Sequence, residues 1–452
     1  MNDLAFDTAP NDLDAFWMPF TPNRAWKQDP RFVTRAEGMH YVTPDGRRIL
    51  DAIAGLWCVN AGHCHPRIVE AIRAQAGQLD FASSFGLGHP GAFEYANRLT
   101  EAAPPGFNRA FFAGSGSEAV DTALKLALAF HNVRGEGQRV KLVGRQRSYH
   151  GVGFGGLSVA GIGTQRKHFG PLLPGVSHLP HTHDPKRNAF SRGRPAHGGE
   201  NFADALEGIL YAQDPSTIAA VIVEPVAGST GVLVPPVGYL ERLREICDRH
   251  GLLLIFDEVV TGFGRLGAAF GSQALGVLPD LICCAKGMTN GAVPMGGVLI
   301  NERVAEGLLS QPDGATEFMH GYTYSGHPLA AAAALATLQV YQEEGLFQRA
   351  ASMAQTWEDA VHALRDAPGV TDIRNIGLLA AIEFSAEAGG GPARARAIAA
   401  RCFDAGVLIR AVGDSLVLSP PLPITAEQIE QIADTIRQEA RATRSDGIPS
   451  AC

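Results

Sequence analysis

The stretch "LICCAKGMTNG", residues 281–291, opens with five small or apolar residues and then presents a lysine. The opening run suits a buried strand, yet Lys286 ends it with an amine, a group almost never fully buried without a partner. The same pattern recurs on either side. "RAFFAG" (109–114), "IAAVIVEP" (218–225) and "LLLIFDEV" (252–259) are short, near-continuously apolar runs, and helical patterns separate them, clearest over 116–131 and 238–250. Strands apolar on both faces and alternating with helices predict an α/β fold whose mostly parallel sheet is covered on both sides.

Beyond this region the pattern changes. A long helical run, "HPLAAAAALATLQVYQEE" (327–344), leads to strand-like "IGLLAAIEF" (376–384), helical "ARAIAARCFDAG" (395–406), strands "VLIRAV" (407–412) and "LVLSPPL" (416–422) around a Gly-Asp turn, and a final helix. Thr425 and Gln428 are spaced as a capping box for that helix, with Ile424 and Ile429 as its staple. This order predicts a second, smaller α+β domain. A chain of 452 residues exceeds the ~250–300 at which one core stops growing, so two domains are expected in any case. The expected boundaries are an N-terminal arm with part of the small domain (1–69), a large domain (70–325), the rest of the small domain (326–442) and a tail (443–452) without fixed structure. The arm, with "FWMPFTPNRAWKQDP" (16–30), suits an irregular segment or short helix draped over another surface.

Apolar residues at 46% and charged residues at 19% describe an ordinary globular protein. The net charge is −8 and no basic block is sustained, which excludes the electrostatic footprint of a nucleic-acid binder. Seven cysteines without paired CxxC spacing point to free thiols in a reducing compartment. The acidic start "MNDLAFDTAPNDLD" lacks the features of a signal peptide, and no apolar run approaches the ~20 residues that span a bilayer. A cytoplasmic protein is expected. "HCH" (63–65) and His178, His181 and His183 lack a fourth well-spaced ligand, so no metal site is expected.

Ligands of doubly wound sheets bind beyond the carboxyl ends of the strands, where this chain concentrates its polar residues. At "AGSGSE", Ser115 and Glu118 are spaced to cap a helix whose free N–H groups at 115–117 make an anion site suited to phosphate. Asp257 and Glu258 end another strand, and a buried carboxylate there requires a cation or protonated nitrogen. Lys286 ends the next. A structural Asp257–Lys286 ion pair is the plain alternative. Taken together, a phosphate cradle, a carboxylate for a pyridinium nitrogen and an amine for an aldehyde are what pyridoxal phosphate needs.

With "AGLWCVNAGHCHP", "SGSEAVDTALKLA", "YHGVGFGG", "HLPHTHDPKRNAFSRG", "VEPVAGSTGVLVPP", "FDEVVTGFGR", "AKGMTNGAVPMGG", "HGYTYSGHP" and "LIRAVGDSLVLSPPL" in order, residues 15–440 resemble the class III aminotransferases of fold type I. Within that family the resemblance is to the β-alanine (ω-amino acid):pyruvate enzymes. It implies Lys286 as the lysine covalently joined to pyridoxal 5'-phosphate and Asp257 as partner of the pyridine nitrogen. Tyr149 and Val259 would flank the ring, and Glu224 would support the site. Ser115, Gly116 and Ser117 would hold the phosphate, with Thr323 of a neighbouring subunit. Arg410 would clasp a substrate carboxylate, and Phe20, Trp57, Phe85 and Tyr149 would line an apolar pocket, Phe85 from across a dimer. Related enzymes commonly carry Asn where this chain has Gly114, which keeps the backbone cradle and removes a side-chain contact.

The activity implied is transamination from an ω-amino acid such as β-alanine, or an amine, to pyruvate in a homodimer or homotetramer. An aminomutase, racemase or decarboxylase on the same fold is the alternative. A dinucleotide-binding oxidoreductase or a non-catalytic binding module is a third reading. Against it, no GxGxxG opens a helix in an early βαβ unit.

Overall fold

The computed structural model describes residues 12–385 and 393–445. Its central sheet has seven strands in the order Phe107–Ala113, Gly296–Asn301, Leu281–Ala285, Leu253–Asp257, Ile218–Val223, Lys141–Arg145 and Val176–Leu179. The last five run parallel, and Gly296–Asn301 is antiparallel to both of its neighbours. Leu253 and Ile255 pack with the helix Gly116–Val133, whereas Leu254 and Phe256 pack with the helix Tyr239–His250 on the opposite face. Each of these four strand residues is fully buried. Burial on both faces is why the sequence reads as an unbroken apolar run rather than an alternation.

Two smaller sheets stand apart. One pairs Arg35–Glu37, His40–Val42 and Arg48–Asp51 with Val407–Leu408, so the N-terminal strands meet a C-terminal one, Leu50 opposite Val407. The other has the order Val370–Ile376, Leu379–Phe384, Ser415–Leu418, Arg410–Val412, all antiparallel. Two expectations change here. "IGLLAAIEF" is not one strand but the turn and second arm of a hairpin, with Gly377 at φ +53° in the turn. Its first arm was obscured by Asp372 and Arg374, which are buried because Arg374 pairs with Asp372 (2.5 Å) and Glu383 (2.7 Å). "VLIRAV" splits at Ile409, its two halves pairing in different sheets, so Arg410 opens a strand immediately after the crossing.

The capping box at Thr425 forms reciprocally: Thr425 N–H donates to Gln428 Oε1 (3.1 Å) and Gln428 N–H to Thr425 Oγ1 (3.3 Å). The helix Ala426–Ser445 runs past the boundary expected at 442, and the remainder of the predicted tail, 446–452, lies outside the described residues. So do residues 1–11 of the arm, which forms the short helix Asn23–Gln28. No helix among the described residues is long and apolar enough to cross a membrane.

Candidate active site

Strands of the central sheet deliver their carboxyl ends to one cleft, which encloses about 580 Å³ with its mouth included. Its lining includes Ser115, Gly116, Ser117, Tyr149, His150, Glu224, Asp257, Val259 and Lys286. At one end the strand Phe107–Ala113 turns into the helix Gly116–Val133. Ser115 Oγ accepts the Glu118 N–H (3.2 Å), while the Glu118 carboxylate takes the Gly114 N–H (2.6 Å) rather than that of Ser115. The N–H groups of Gly116 and Ser117 belong to the first turn, which a helix leaves unpaired, and they sit at the positive end of its dipole. A Cβ on Gly116 would approach Val259 Cγ2 to 3.2 Å, so glycine lets the backbone come close to the cleft without displacing Val259. Ser117 Oγ accepts the Val152 N–H (3.1 Å), leaving its own proton to donate. At Gly114 a Cβ would stand 3.0 Å from the Glu118 carboxylate, which occupies the space a larger residue would need.

Asp257 is 6% exposed. Its Oδ2 accepts from Nδ1 of the fully buried His150 (2.8 Å) and its Oδ1 from the Val259 N–H (3.1 Å). Nε2 of His150 is buried without a partner. With a carboxylate oxygen as acceptor, Nδ1 is the nitrogen that donates. Glu258 points elsewhere, accepting N–H groups of Gly271 and Ser272 at the start of a short helix. Glu224 accepts the Tyr149 N–H (2.9 Å) and the Gly228 N–H (3.2 Å), and burial pushes its carboxyl up to about 7.

Lys286 follows the buried strand Leu281–Ala285 at φ +52°, with Nζ 5.0 Å from the centre of the Trp57 ring. No ion pair joins it to Asp257, so the structural pair considered from the sequence is not formed. Burial holds its amine below the ordinary lysine range. On the same ring Arg410 places Cζ 5.8 Å from the centre. The Lys286 amine and the Asp257 carboxylate thus line one cleft, with the Trp57 ring and the Arg410 guanidinium beside the amine, and the N–H groups at one end of the cleft and Asp257 at the other suit a phosphorylated pyridine.

The chain by itself does not bring Phe20, Phe85 or Thr323 to this cleft. Phe20 is 71% and Phe85 62% exposed, and Thr323 lies on an exposed turn. Nothing in the sequence marks the histidine of "YHG", His150, and only its burial against Asp257 reveals a role. Ser229, also in the lining, carried no signal in sequence. The histidines considered for a metal diverge: His63 pairs with Asp51 (2.8 Å) and His65 with Glu344 (2.9 Å). His183 does approach Asp372 and Glu383, but Arg374 already bridges those two carboxylates. The described cysteines, Cys283 and Cys284 included, are free thiols.

Comparison with known proteins agrees with this geometry. The family profile "Aminotransferase class-III" matches residues 23–439. An omega-aminotransferase of Caulobacter vibrioides is 56% identical over 96% of this chain and 98% of its own. The beta-alanine–pyruvate aminotransferase of Pseudomonas aeruginosa is 45% identical over 94% and 95%. Among solved structures, the omega transaminase of Pseudomonas jessenii in complex with PMP superposes with a TM-score of 0.89 at 33% identity, covering 96% of this chain and 98% of its own. With its fold and nearly its whole length shared with these proteins, the chain belongs to the class III aminotransferases, and its cofactor is pyridoxal 5'-phosphate.

Proposed function

We propose that this enzyme transfers an amino group from an ω-amino acid such as β-alanine, or from an amine, to pyruvate, giving an aldehyde or oxo acid and L-alanine. The observation that carries this reading is the placing of Lys286 and Arg410 against one ring, Trp57, beside Asp257. Bound in the cleft, pyridoxal phosphate supplies an aldehyde for the donor amine and a ring that accepts the electron pair left when the substrate carbon loses a proton. Lys286 moves that proton. Its lowered affinity for protons keeps more of the amine neutral, as a base requires. Asp257, oriented by His150 and the Val259 N–H, holds the pyridine nitrogen protonated. Ser115, Gly116 and Ser117 take the phosphate, Tyr149 and Val259 flank the ring, and Glu224 supports the Tyr149 backbone.

Arg410 has no ion pair among the described residues, so its guanidinium is available to a substrate carboxylate, which it matches with two parallel hydrogen bonds. Trp57 offers apolar surface to the carbon chain. The exposed Phe85 and Thr323 belong to one surface unit: Ser84 Oγ donates to Ser325 O (2.7 Å) and His89 Nε2 to Gly326 O (2.6 Å). In a homodimer or homotetramer that unit would reach a neighbour's cleft, with Thr323 on the phosphate and Phe85 on the substrate side, while Phe20 would join the apolar pocket. The free thiols and acidic balance support a cytoplasmic setting.

A donor panel with pyruvate as acceptor tests the proposal. β-Alanine should turn over only while pyruvate is present, stalling after one half-reaction without it. Sustained turnover of an amino acid with no oxo acid would instead establish an aminomutase, racemase or decarboxylase.

A further inference from the structure

Lys286 holds a left-handed backbone conformation, φ +52°, that is strained for a non-glycine residue and persists only where its surroundings impose it. The turn it opens, Lys286–Thr289, is followed by Asn290 at φ +55°. Both ends of this turn are held by three consecutive buried residues. Asn290 is gripped by Ala61, whose N–H donates to its Oδ1 (2.8 Å), and by Gly62, whose carbonyl accepts from its Nδ2 (2.8 Å). At the lysine end stands Asn60, 1% exposed. A Cβ placed on Gly287 would lie 2.6 Å from Asn60 Nδ2 and 2.9 Å from Phe263 Cβ, so the carboxamide packs directly on the Gly287 backbone. On its far side the Gly287 carbonyl accepts from Tyr341 Oη (2.6 Å).

The carboxamide is itself fixed. Nδ2 donates to Phe263 O (2.8 Å), and Oδ1 accepts from Arg265 Nη2 (2.6 Å). Arg265 is fully buried and, among the described residues, has no carboxylate partner; it also donates to Pro420 O, and Asn60 supplies its side-chain acceptor. Asn60 also shares a loop with Trp57, the ring on which the Lys286 amine rests, so one segment sets both the backbone of the lysine and the surface that aims its side chain.

We propose that Asn60 is a positioning residue for the aminotransferase reaction: wedged between Gly287, Phe263 and Arg265, its carboxamide holds the Lys286 turn in the conformation that points the amine into the cleft. Asn60 does not line the cleft and acts through Lys286. The amine it aims is faced by the Asp257 and Glu224 carboxyl groups, the Cys58 thiol and the Arg410 guanidinium, and loosening the turn changes its distance to all four. The inference rests on Lys286 being the cofactor lysine.

Three variants of the full-length enzyme test it. Asn60→Leu keeps the branching and the number of side-chain heavy atoms, with greater bulk, and removes both hydrogen bonds. Asn60→Asp keeps an acceptor for Arg265 and replaces the donor to Phe263 O with a repelling oxygen. Gly287→Ala presses on the carboxamide from the other side with Asn60 intact. Two quantities are read: the rate at which the cofactor-stripped protein captures pyridoxal phosphate, trapped with borohydride and located by peptide mass, and the pH midpoint of the colour change of the cofactor-loaded enzyme. Each variant should capture about tenfold or more slowly and shift the midpoint by about one pH unit. Folded variants that capture at the unaltered rate with an unmoved midpoint overturn the role of Asn60. If Asn60→Leu does not fold, Asn60→Asp and Gly287→Ala decide by the same readings. Cofactor trapped on another lysine of the unaltered enzyme would instead sink the assignment of Lys286.

Discussion

Replacing Asp257 by Asn tests the electrostatics of the cleft with little change of shape. The carboxylate has two protein partners, His150 Nδ1–H on Oδ2 and the Val259 N–H on Oδ1. An amide can satisfy His150 only by turning its oxygen toward the imidazole. The opposite orientation would demand the other histidine tautomer, with an N–H at the buried and unpartnered Nε2, at a cost of ~1–3 kcal/mol. Arranged for His150, the amide opposes no charge on the pyridine nitrogen. The lost attraction between two unit charges ~4 Å apart at an effective dielectric of ~20 is about 4 kcal/mol, or about a thousandfold in rate if it is felt fully in the transition state. Single-turnover bleaching of the cofactor colour by β-alanine, with no pyruvate present, measures this step directly. Asp257→Asn should slow it by about three orders of magnitude while cofactor affinity falls much less. A rate within tenfold of the unaltered enzyme would refute the reasoning and leave Asp257 as only an anchor for His150.

Lys286→Ala should abolish turnover without lowering the melting temperature of the cofactor-free protein, because it removes an amine whose charging burial opposes; near-normal turnover would remove Lys286 from the mechanism. Arg410→Ala should cost the half-reactions with β-alanine and pyruvate roughly 2–5 kcal/mol of transition-state binding and leave an uncharged arylalkyl amine little affected. Equal single-turnover losses for all donors would assign Arg410 to the fold. Glu224, fully buried with its carboxyl raised to about 7, makes the folded state bind a proton more tightly than the unfolded chain. Stability from this group is therefore complete below its ordinary value near 4.5 and is lost as pH rises to about 7, a decline of about 3 kcal/mol. Denaturant titrations of the cofactor-free protein should show this decline, and Glu224→Gln should lack it; parallel curves would contradict the argument.

The central sheet was legible because its strands are buried on both faces, so apolar runs and polar strand ends marked the site before any contact was known. Lys286 stood out for the same reason, as an amine where burial forbids one. His150 and Asn60 carried no comparable mark: their partners Asp257 and Arg265 lie 107 and 205 residues away, and a neutral polar residue has no signature until those partners are seen. Val370–Ile376 escaped because paired charges inside a strand mimic a solvated loop. The split of "VLIRAV" was invisible because both halves are equally strand-like, and which sheet each joins is decided by distant segments. Phe20, Phe85 and Thr323 are exposed and do not line this chain's own cleft, so no contact within the chain marks them.

The sheet that joins Arg48–Asp51 to Val407–Leu408 also bears on how the enzyme is made. Arg47 donates to the carbonyl of Asp404, 357 residues later. On a ribosome adding ~5–20 residues per second, the N-terminal strands wait about 20–70 s for the partner that completes their sheet. During that interval the strand Arg48–Asp51 pairs only with His40–Val42, its edge toward Val407 open, and neither Arg410 nor the Pro420 carbonyl that receives Arg265 has been synthesised. Completion of the Arg410 end of the site is thus a late event of biosynthesis, and a stalled or truncated chain that already contains Lys286 and Asp257 would hold the central sheet without the guanidinium that we propose clasps the substrate carboxylate.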